Sequence, residues 1–481
     1  MTIFPHSSDQ RSRMPRYIFD VTALRSYLAR HSQLSGIQRV SVMTMIRAQQ
    51  RLGSDQVWFG YHDRITDSYK VHPLPSDSQC DLTLYTTLCG VLHIRASLRS
   101  LPGMDKYTKR PFKLRWKVWL SDLHARRGNT KHFQRRGLSL DSWKVARANL
   151  SRTSQPSSHN ELLERFAVPG DRLILLDNAW NPKGLERWLK HASTDLKLQV
   201  YVFLHDLIPL VTPQYVEGDS CNRFHGWLVR STEYVTCYLV NSENTAQDLH
   251  TFLKSQGASQ PVKAVPLAQA MLSDPHPEPT TPNIDTTFTE VVTILDYIRI
   301  ITKTPYVLVV GTMEVRKNLW QLATVWDRLR RQSGRPLPKL VFAGRRGWLN
   351  KDFDALMQAT GQLGGWVEIV EGPDDNVLAY LYKNCLFTVT ASFYEGWGLP
   401  IGESLAYGKT AVVSNTSSMP EVGGDMVEYC DPHSLDSIEA ACLRLIDDPD
   451  HRKLLEERIS KAHLRSWDEV AQDMLDALHT P

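Results

Sequence analysis

YVLVVGTMEVRKNLWQLATVWDRL, running from Tyr306 to Leu329, decides the fold class of this chain. The apolar, largely β-branched run Tyr306 to Val310 reads as a buried strand ending at Gly311, and an amphipathic helix begins near Leu319. Strand, short loop and helix in that order are the unit of parallel-sheet α/β architecture. Arg316 and Lys317 fall in the loop at the strand's carboxyl end, the edge where open α/β sheets bind ligands. Two adjacent cations beside a helix N-terminus, whose free N–H groups also attract anions, suit a diphosphate; the same pair would serve equally as exposed loop cations.

The alternation continues outward from this unit in both directions. Candidate strands precede it at Tyr17–Val21, Val57–Tyr61, Leu173–Asp177, Val200–Leu204, Tyr238–Asn241 and Val262–Pro266, and follow it at Lys339–Ala343, Trp366–Val370, Leu386–Thr390 and Thr410–Val413. A chain of 481 residues exceeds one core, and two large domains fit best. Between Ser273 and Asn283 stand Pro275, Pro277, Pro279 and Pro282, which prevent helix and discourage strand. The expected organisation is a first Rossmann-like domain over residues 16–272, a linker over 273–304 and a second Rossmann-like domain over 305–453. The terminal segment 454–481 carries one long amphipathic helix, Leu454 to Leu478, folding back across the first domain.

Composition narrows the function classes. An apolar fraction of 42% with 22% charged residues is that of a folded soluble protein, and a formal charge of only +4 argues against a general binder of nucleic acid. Seven scattered cysteines without a C-x-x-C pair point to a reducing cytoplasm. Met1 to Pro15 is polar and lacks the apolar core of a signal peptide, so any contact with a membrane is expected to be peripheral, at the inner face of the cytoplasmic membrane.

A second stretch, TVTASFYEGWGLPIGESLAYG from Thr388 to Gly408, carries the other chemistry-bearing residues. A strand ends near Ala391, Gly396 and Gly398 let the backbone turn and approach a ligand, and Leu399-Pro400 opens a helix. Glu395 lies in the loop and Glu403 in the first helical turn, so the two carboxylates can converge on vicinal hydroxyls, which they accept well. Against this stand a solvated loop for Glu395 and simple dipole stabilisation for Glu403.

E-G-W-G-L-P-I-G-E (Glu395 to Glu403) resembles the E-x7-E element of family 4 retaining glycosyltransferases, which have the two-domain GT-B fold. V-G-T-M-E-V-R-K-N, from Val310, is similar to that family's diphosphate loop, L-V-F-A-G-R-R-G-W (Leu340 to Trp348) to its next strand and loop, and S-S-M-P-E-V-G-G-D (Ser417 to Asp425) to its continuation. In the first half, F-D-V-T-A-L (Phe19 to Leu24) with S-G-I-Q-R-V (Ser35 to Val40) resembles the first strand and glycine loop, although Ser35-Gly36 replaces the paired glycines of many members. L-H-D-L-I-P (Leu204 to Pro209) places His205 where similar enzymes hold a histidine beside the reacting sugar; its alternative is a hydrogen-bonded core histidine. Arg39 either binds acceptor or caps a helix.

The resemblance implies metal-independent transfer with retention from a nucleoside-diphosphate sugar, a co-substrate rather than a cofactor, to a glycan or lipid-linked oligosaccharide. It implies Arg316, Lys317 and the helix start at Leu399-Pro400 on the diphosphate, Glu395 on the donor sugar, Glu403 on the ribose, and His205 near the sugar. Gly36, Gly311, Gly396 and Gly398 would let the backbone approach the donor, and Gly344 and Arg345 would border the base. No D-x-D motif stands near a strand end, and no His/Cys cluster has metal-ligand spacing. Mannose from GDP-mannose is a common theme among similar enzymes, in bacterial exopolysaccharide or O-antigen assembly. A sugar-nucleotide epimerase of the same fold and a non-catalytic subunit of a polysaccharide assembly complex are the alternatives.

One region stands outside this scheme. Residues 106–136 form an irregular insertion with eleven basic residues against Asp122 alone, interleaved with Phe112, Trp116, Val118, Trp119 and Leu120. It reads either as a solvated loop or as a contact with an anionic membrane surface.

Overall fold

The computed structural model describes residues 14–479 apart from 32–33, 77–81, 84, 95–97, 99–100, 102–103, 105–106, 108–109, 135–139, 142, 145, 148–160, 271–297 and 333–335. The expected linker over Ser273–Asn283 therefore lies outside the described residues, and Ile298 to Ile301 just before the second sheet is helical rather than irregular.

Two sheets organise the chain. The first has strands β1 (Tyr17–Asp20), β2 (Val57–Asp63), β3 (Ser68–Pro73), β4 (Glu161–Leu162), β5 (Arg172–Leu175), β6 (Gln199–Leu204), β7 (Cys237–Val240) and β8 (Val262–Ala264), in the order β4-β3-β2-β1-β5-β6-β7-β8. All neighbours pair in parallel except at β3, which runs antiparallel to β2 and β4. The second has β9 (Tyr306–Val310), β10 (Lys339–Gly344), β11 (Val367–Glu371), β12 (Thr388–Thr390), β13 (Ala411–Ser414) and β14 (Glu428–Cys430), all parallel, in the order β11-β10-β9-β12-β13-β14. Because parallel strands are buried on both faces, their side chains feed two apolar layers. Tyr17 and Phe19 join one cluster while Ile18 joins the other, and Val307 and Val309 alternate with Tyr306 and Leu308 in the same way.

In each sheet the first strand has neighbours that lead off in opposite directions, leaving a crevice at the carboxyl ends. In the second sheet that switch lies between β9 and β12, which are followed by the Arg316-Lys317 loop and the Glu395 loop. In the first it lies between β1 and β5, and the Gly36–Leu52 helix starts over it, tied down by Gln38 donating to both carboxylate oxygens of Asp177 at 3.1 Å.

Three expectations are corrected. The single helix from Leu454 is two, Pro449–Lys461 and Trp467–His479, because residues 462–466 leave the second domain and enter the first. The second helix packs along Gly36–Leu52, with Arg51 bonding Gln472 at 2.8 Å and the Tyr201 hydroxyl donating to the Leu478 carbonyl at 3.0 Å. The insertion is not irregular throughout, since Pro111–Arg126 is a helix anchored by buried Leu114 and Val118. Glu403 lies in the second turn of the Leu399–Ala406 helix, not the first.

Candidate functional site

The carboxyl edges of the two sheets face one another across a cavity of about 720 Å³, within the range of small-molecule sites. Gly36 and His205 line it from the first domain; Gly311, Arg316, Lys317, Gly344, Arg345, Glu395, Gly396, Gly398, Leu399, Pro400 and Glu403 line it from the second.

At its floor Glu395 joins both cations. Lys317 Nζ is 2.5 Å from Glu395 Oε1 and Arg316 Nη1 is 2.7 Å from Oε2, with side chains only 12%, 11% and 9% exposed for Lys317, Arg316 and Glu395. Burial alone would raise the Glu395 carboxyl, but Arg316 and Lys317 outweigh it and hold the group at about 2. Arg316 is aimed by Glu314 and by the Tyr394 carbonyl, both of which accept from its guanidinium. A turn of 3-10 helix, Val315–Lys317, and left-handed Asn318 (φ 59°) hold the loop, and the Asn318 amide donates to the Pro432 carbonyl at 2.8 Å.

Glu403 sits on the same wall. The Tyr382 hydroxyl donates to its Oε2 at 2.7 Å, and Arg39 Nη1 reaches across from the first domain to 3.9 Å from Oε1. Burial raises the Glu403 carboxyl, against Arg39, Tyr382 and, more weakly, Lys317. Arg39 also pairs with Asp375. It neither caps its helix nor stands free, but bridges the two domains.

His205 ends β6 on the opposite wall. Its Nε2 is 2.8 Å from the Leu176 carbonyl oxygen, which can only accept, so Nε2 carries the hydrogen and Nδ1 remains an acceptor. Burial lowers the affinity of the ring for a proton and keeps it neutral at physiological pH, Leu176 and Asp177 opposing. The histidine is hydrogen-bonded in the wall and also lines the cavity.

The glycines divide by cause. Gly311 (φ 140°) and Gly398 (φ 106°) take backbone conformations that side chains resist. Gly396 and Gly344 are needed for close approach, though to protein rather than ligand. A Cβ on Gly396 would lie 1.8 Å from the His205 carbonyl oxygen, and one on Gly344 would lie 1.8 Å from that of Gly311. Gly36 is in contact with Leu399 across the cleft, where an added Cβ would meet Cδ1 at 3.0 Å. Arg345 Nη1 donates to the Tyr27 hydroxyl at 2.7 Å, so this cation too spans the domains.

Two sheets with switch-point loops facing one cleft, two cations on one carboxylate, and a second carboxylate a helical turn beyond Gly398 are the setting in which comparison with known proteins becomes informative. Residues 295–462 match the family described as Glycosyl transferases group 1. That match spans the second sheet and its helices, about a third of the chain. Among curated proteins, this chain is 35% identical over 175 residues to O-antigen chain mannosyltransferase B of Escherichia coli, a match covering 36% of this chain and 45% of the relative. The chain thus spans less than half the length of that relative.

Among solved structures, HepE of Anabaena, in complex with UDP and glucose, superposes with a TM-score of 0.54 at 13% identity, over 97% of this chain and 100% of the other. An E. coli protein described as trehalose-6-phosphate and bound with UDP-2-fluoro glucose gives 0.53 at 10% identity, over 97% and 99%. The fold is GT-B, two Rossmann-like domains with a cleft between them.

Several cleft residues escaped sequence reading. Asp206, next to His205, is raised by burial and faces Arg316; Glu314 aims Arg316; Tyr382 holds Glu403. Glu314 and Asp206 sit inside the quoted motifs and their charge at a strand end was a usable signal, whereas Tyr382 comes from the Asp375–Asn384 helix, where nothing marks it. Trp180, Tyr215 and Trp348 border the cavity mouth, and Trp348 Nε1 donates to the Tyr215 carbonyl at 2.9 Å across the domains. Among the described residues, no group of three or more His, Cys, Asp or Glu side chains is arranged to hold a metal ion, and no helix is long and apolar enough to cross a membrane.

Proposed function

We propose that this protein is a retaining, metal-independent hexosyltransferase that moves mannose from GDP-mannose to a glycan or lipid-linked oligosaccharide. The setting we assign is the cytoplasmic side of bacterial O-antigen or exopolysaccharide synthesis. The observation that carries the reading is the convergence of Arg316, Lys317 and Glu395 at the switch point of the second sheet, with Glu403 on the same wall and His205 opposite. Similarity to the mannosyltransferase of Escherichia coli supports the choice of sugar.

On this reading the donor diphosphate lies over Arg316 and Lys317 and against the N–H groups at the start of the Leu399–Ala406 helix, which neutralise charge as it develops on the leaving oxygen. Glu403 accepts from the ribose hydroxyls. Glu395, kept ionised by its two cations, accepts from hydroxyls of the donor sugar and orients it. The acceptor attacks from the face the diphosphate leaves, so the anomeric configuration is retained. His205, neutral, bonds the sugar from the first domain. Domain closure excludes water, which would otherwise compete as nucleophile.

The test is a panel of nucleotide-sugars measured by thermal shift, followed by transfer from the best donor and assignment of the product's anomeric configuration by NMR. GDP-mannose is expected to raise the midpoint most, by a few degrees at about a hundred times its dissociation constant. Stabilisation by no nucleotide-sugar, or conversion of donor alone into its epimer without acceptor, would overturn the reading.

A further inference from the structure

We propose that the outward face of the Pro111–Arg126 helix docks this protein on an anionic lipid bilayer, a surface separate from the cleft and independent of the donor reading. The helix carries two apolar sides. One is anchored in the protein, where Leu114 and Val118 join the apolar cluster that also holds Val40 and Met43 of the Gly36–Leu52 helix. The other faces solvent, with Phe112 86% exposed, Trp116 53% and Trp119 59%. Phe112, Trp116, Trp119 and half-buried Leu123 recur every three or four residues and form one stripe opposite the anchored side. A helix that needed only to be soluble would place polar groups there.

What covers the stripe is set by charge. Arg110, Lys113, Arg115, Lys117, Arg126 and Arg127 flank it, and among the described residues none of them is in an ion pair with a carboxylate. The helix's own acid, Asp122, is turned aside, accepting from Arg147 at 2.8 Å and from Trp143 Nε1 at 3.0 Å. Lys117 Nζ lies 4.8 Å from the centre of the Trp116 ring, a cation held over an aromatic face. Aromatic rings rimmed by cations match a bilayer interface, where the rings enter the headgroup region and the cations meet lipid phosphates. A second copy of the same face would set like charges against each other. Lys106, Lys109, Arg135 and Arg136 lie outside the described residues and the proposal does not need them.

Co-sedimentation of the full chain with vesicles of phosphatidylcholine, with and without one third phosphatidylglycerol, tests this. Binding is expected to the anionic vesicles, at least about tenfold tighter than to the neutral ones and weakening as salt rises. The exposed double variant Trp116→Ser/Trp119→Ser should lower binding to anionic vesicles about tenfold or more while keeping its salt dependence. Lys113→Glu/Lys117→Glu should abolish it, each lost cation being worth about fivefold. Both variants should melt like the parent and keep the parent's affinity for nucleotide-sugar, which separates this proposal from the cleft reading. Equal binding to neutral and anionic vesicles, parental binding by either variant, or lipid-free self-association in sedimentation velocity that depends on Trp116 and Trp119 would overturn it.

Discussion

At the scale of single residues, the cleft is governed by how few charges are left unanswered. Arg316 and Lys317 are both committed to Glu395, so a bound diphosphate must share them with a carboxylate that burial cannot neutralise. Lys317→Ala or Arg316→Ala is therefore expected to lower turnover about a hundredfold or more, the usual cost of losing a charge-stabilising donor, measured as transfer rate at saturating donor. Glu403→Ala should instead weaken nucleotide affinity, read by calorimetric titration, because Tyr382 and Arg39 lose the oxygens they orient. Asp20 behaves in the opposite sense to Glu395. Burial pushes its carboxyl from 3.8 to about 6 despite bonds from Tyr69 and Thr22. An acid raised on folding is favoured in its neutral form, so its contribution to stability declines as pH rises from about 4 to about 6 and is flat beyond. The advantage of wild type over Asp20→Asn in urea unfolding should shrink across that window and stay constant above it. The sequence could mark Arg316, Lys317, Glu395 and Glu403, which sit at strand ends in recognisable motifs. It could not mark Tyr382 or the bridging role of Arg39, because those depend on which distant element faces which.

At the scale of elements, local pattern and tertiary contact contribute unequally. The parallel strands were readable because burial on both faces writes them as continuous apolar runs. β3, β4 and β14 were not: β3 is a polar-alternating hairpin partner ending at Pro73, β4 has two residues, and β14, Glu428–Cys430, is a sheet edge. Gly396 illustrates the same divide. Its sequence context suggests room for a ligand, whereas its neighbour is the end of β6, whose His205 carbonyl occupies the place of a side chain. Gly396→Ala should therefore push the Glu395 loop off the first domain. We expect about a hundredfold loss of transfer, the effect of misplacing a reacting group by about an ångström, with secondary structure unchanged by circular dichroism. Glu421 stitches the same seam from another element, its two oxygens accepting from the backbone N–H groups of Glu243 and Asn244 at 2.9 Å, at the start of the Glu243–Ser255 helix in the opposite domain.

At the scale of the whole molecule, the last helix belongs to the first domain. Trp467–His479 buries Val470, Ala471, Met474, Leu475 and Leu478 beside the Gly36–Leu52 helix, and His479 meets the Tyr17 hydroxyl at 2.8 Å. Exposing five such side chains would cost on the order of the whole stability of a domain. A chain ending at Ser466 should accumulate as insoluble protein, and supplying the missing segment as a separate peptide during refolding should recover soluble material. Because the Trp467–His479 helix packs in the first domain, residues 462–466 carry the chain back from the second, and they touch the segment that follows β8. Gln269 N–H donates to the Arg465 carbonyl at 2.8 Å, and Arg465 Nε to the Pro266 carbonyl at 2.8 Å. Like a book whose covers share one spine, the halves are joined at that paired crossing, and any opening of the cleft is expected to pivot there. On the proposed function, closure about that joint would bring the facing loops back to the same register.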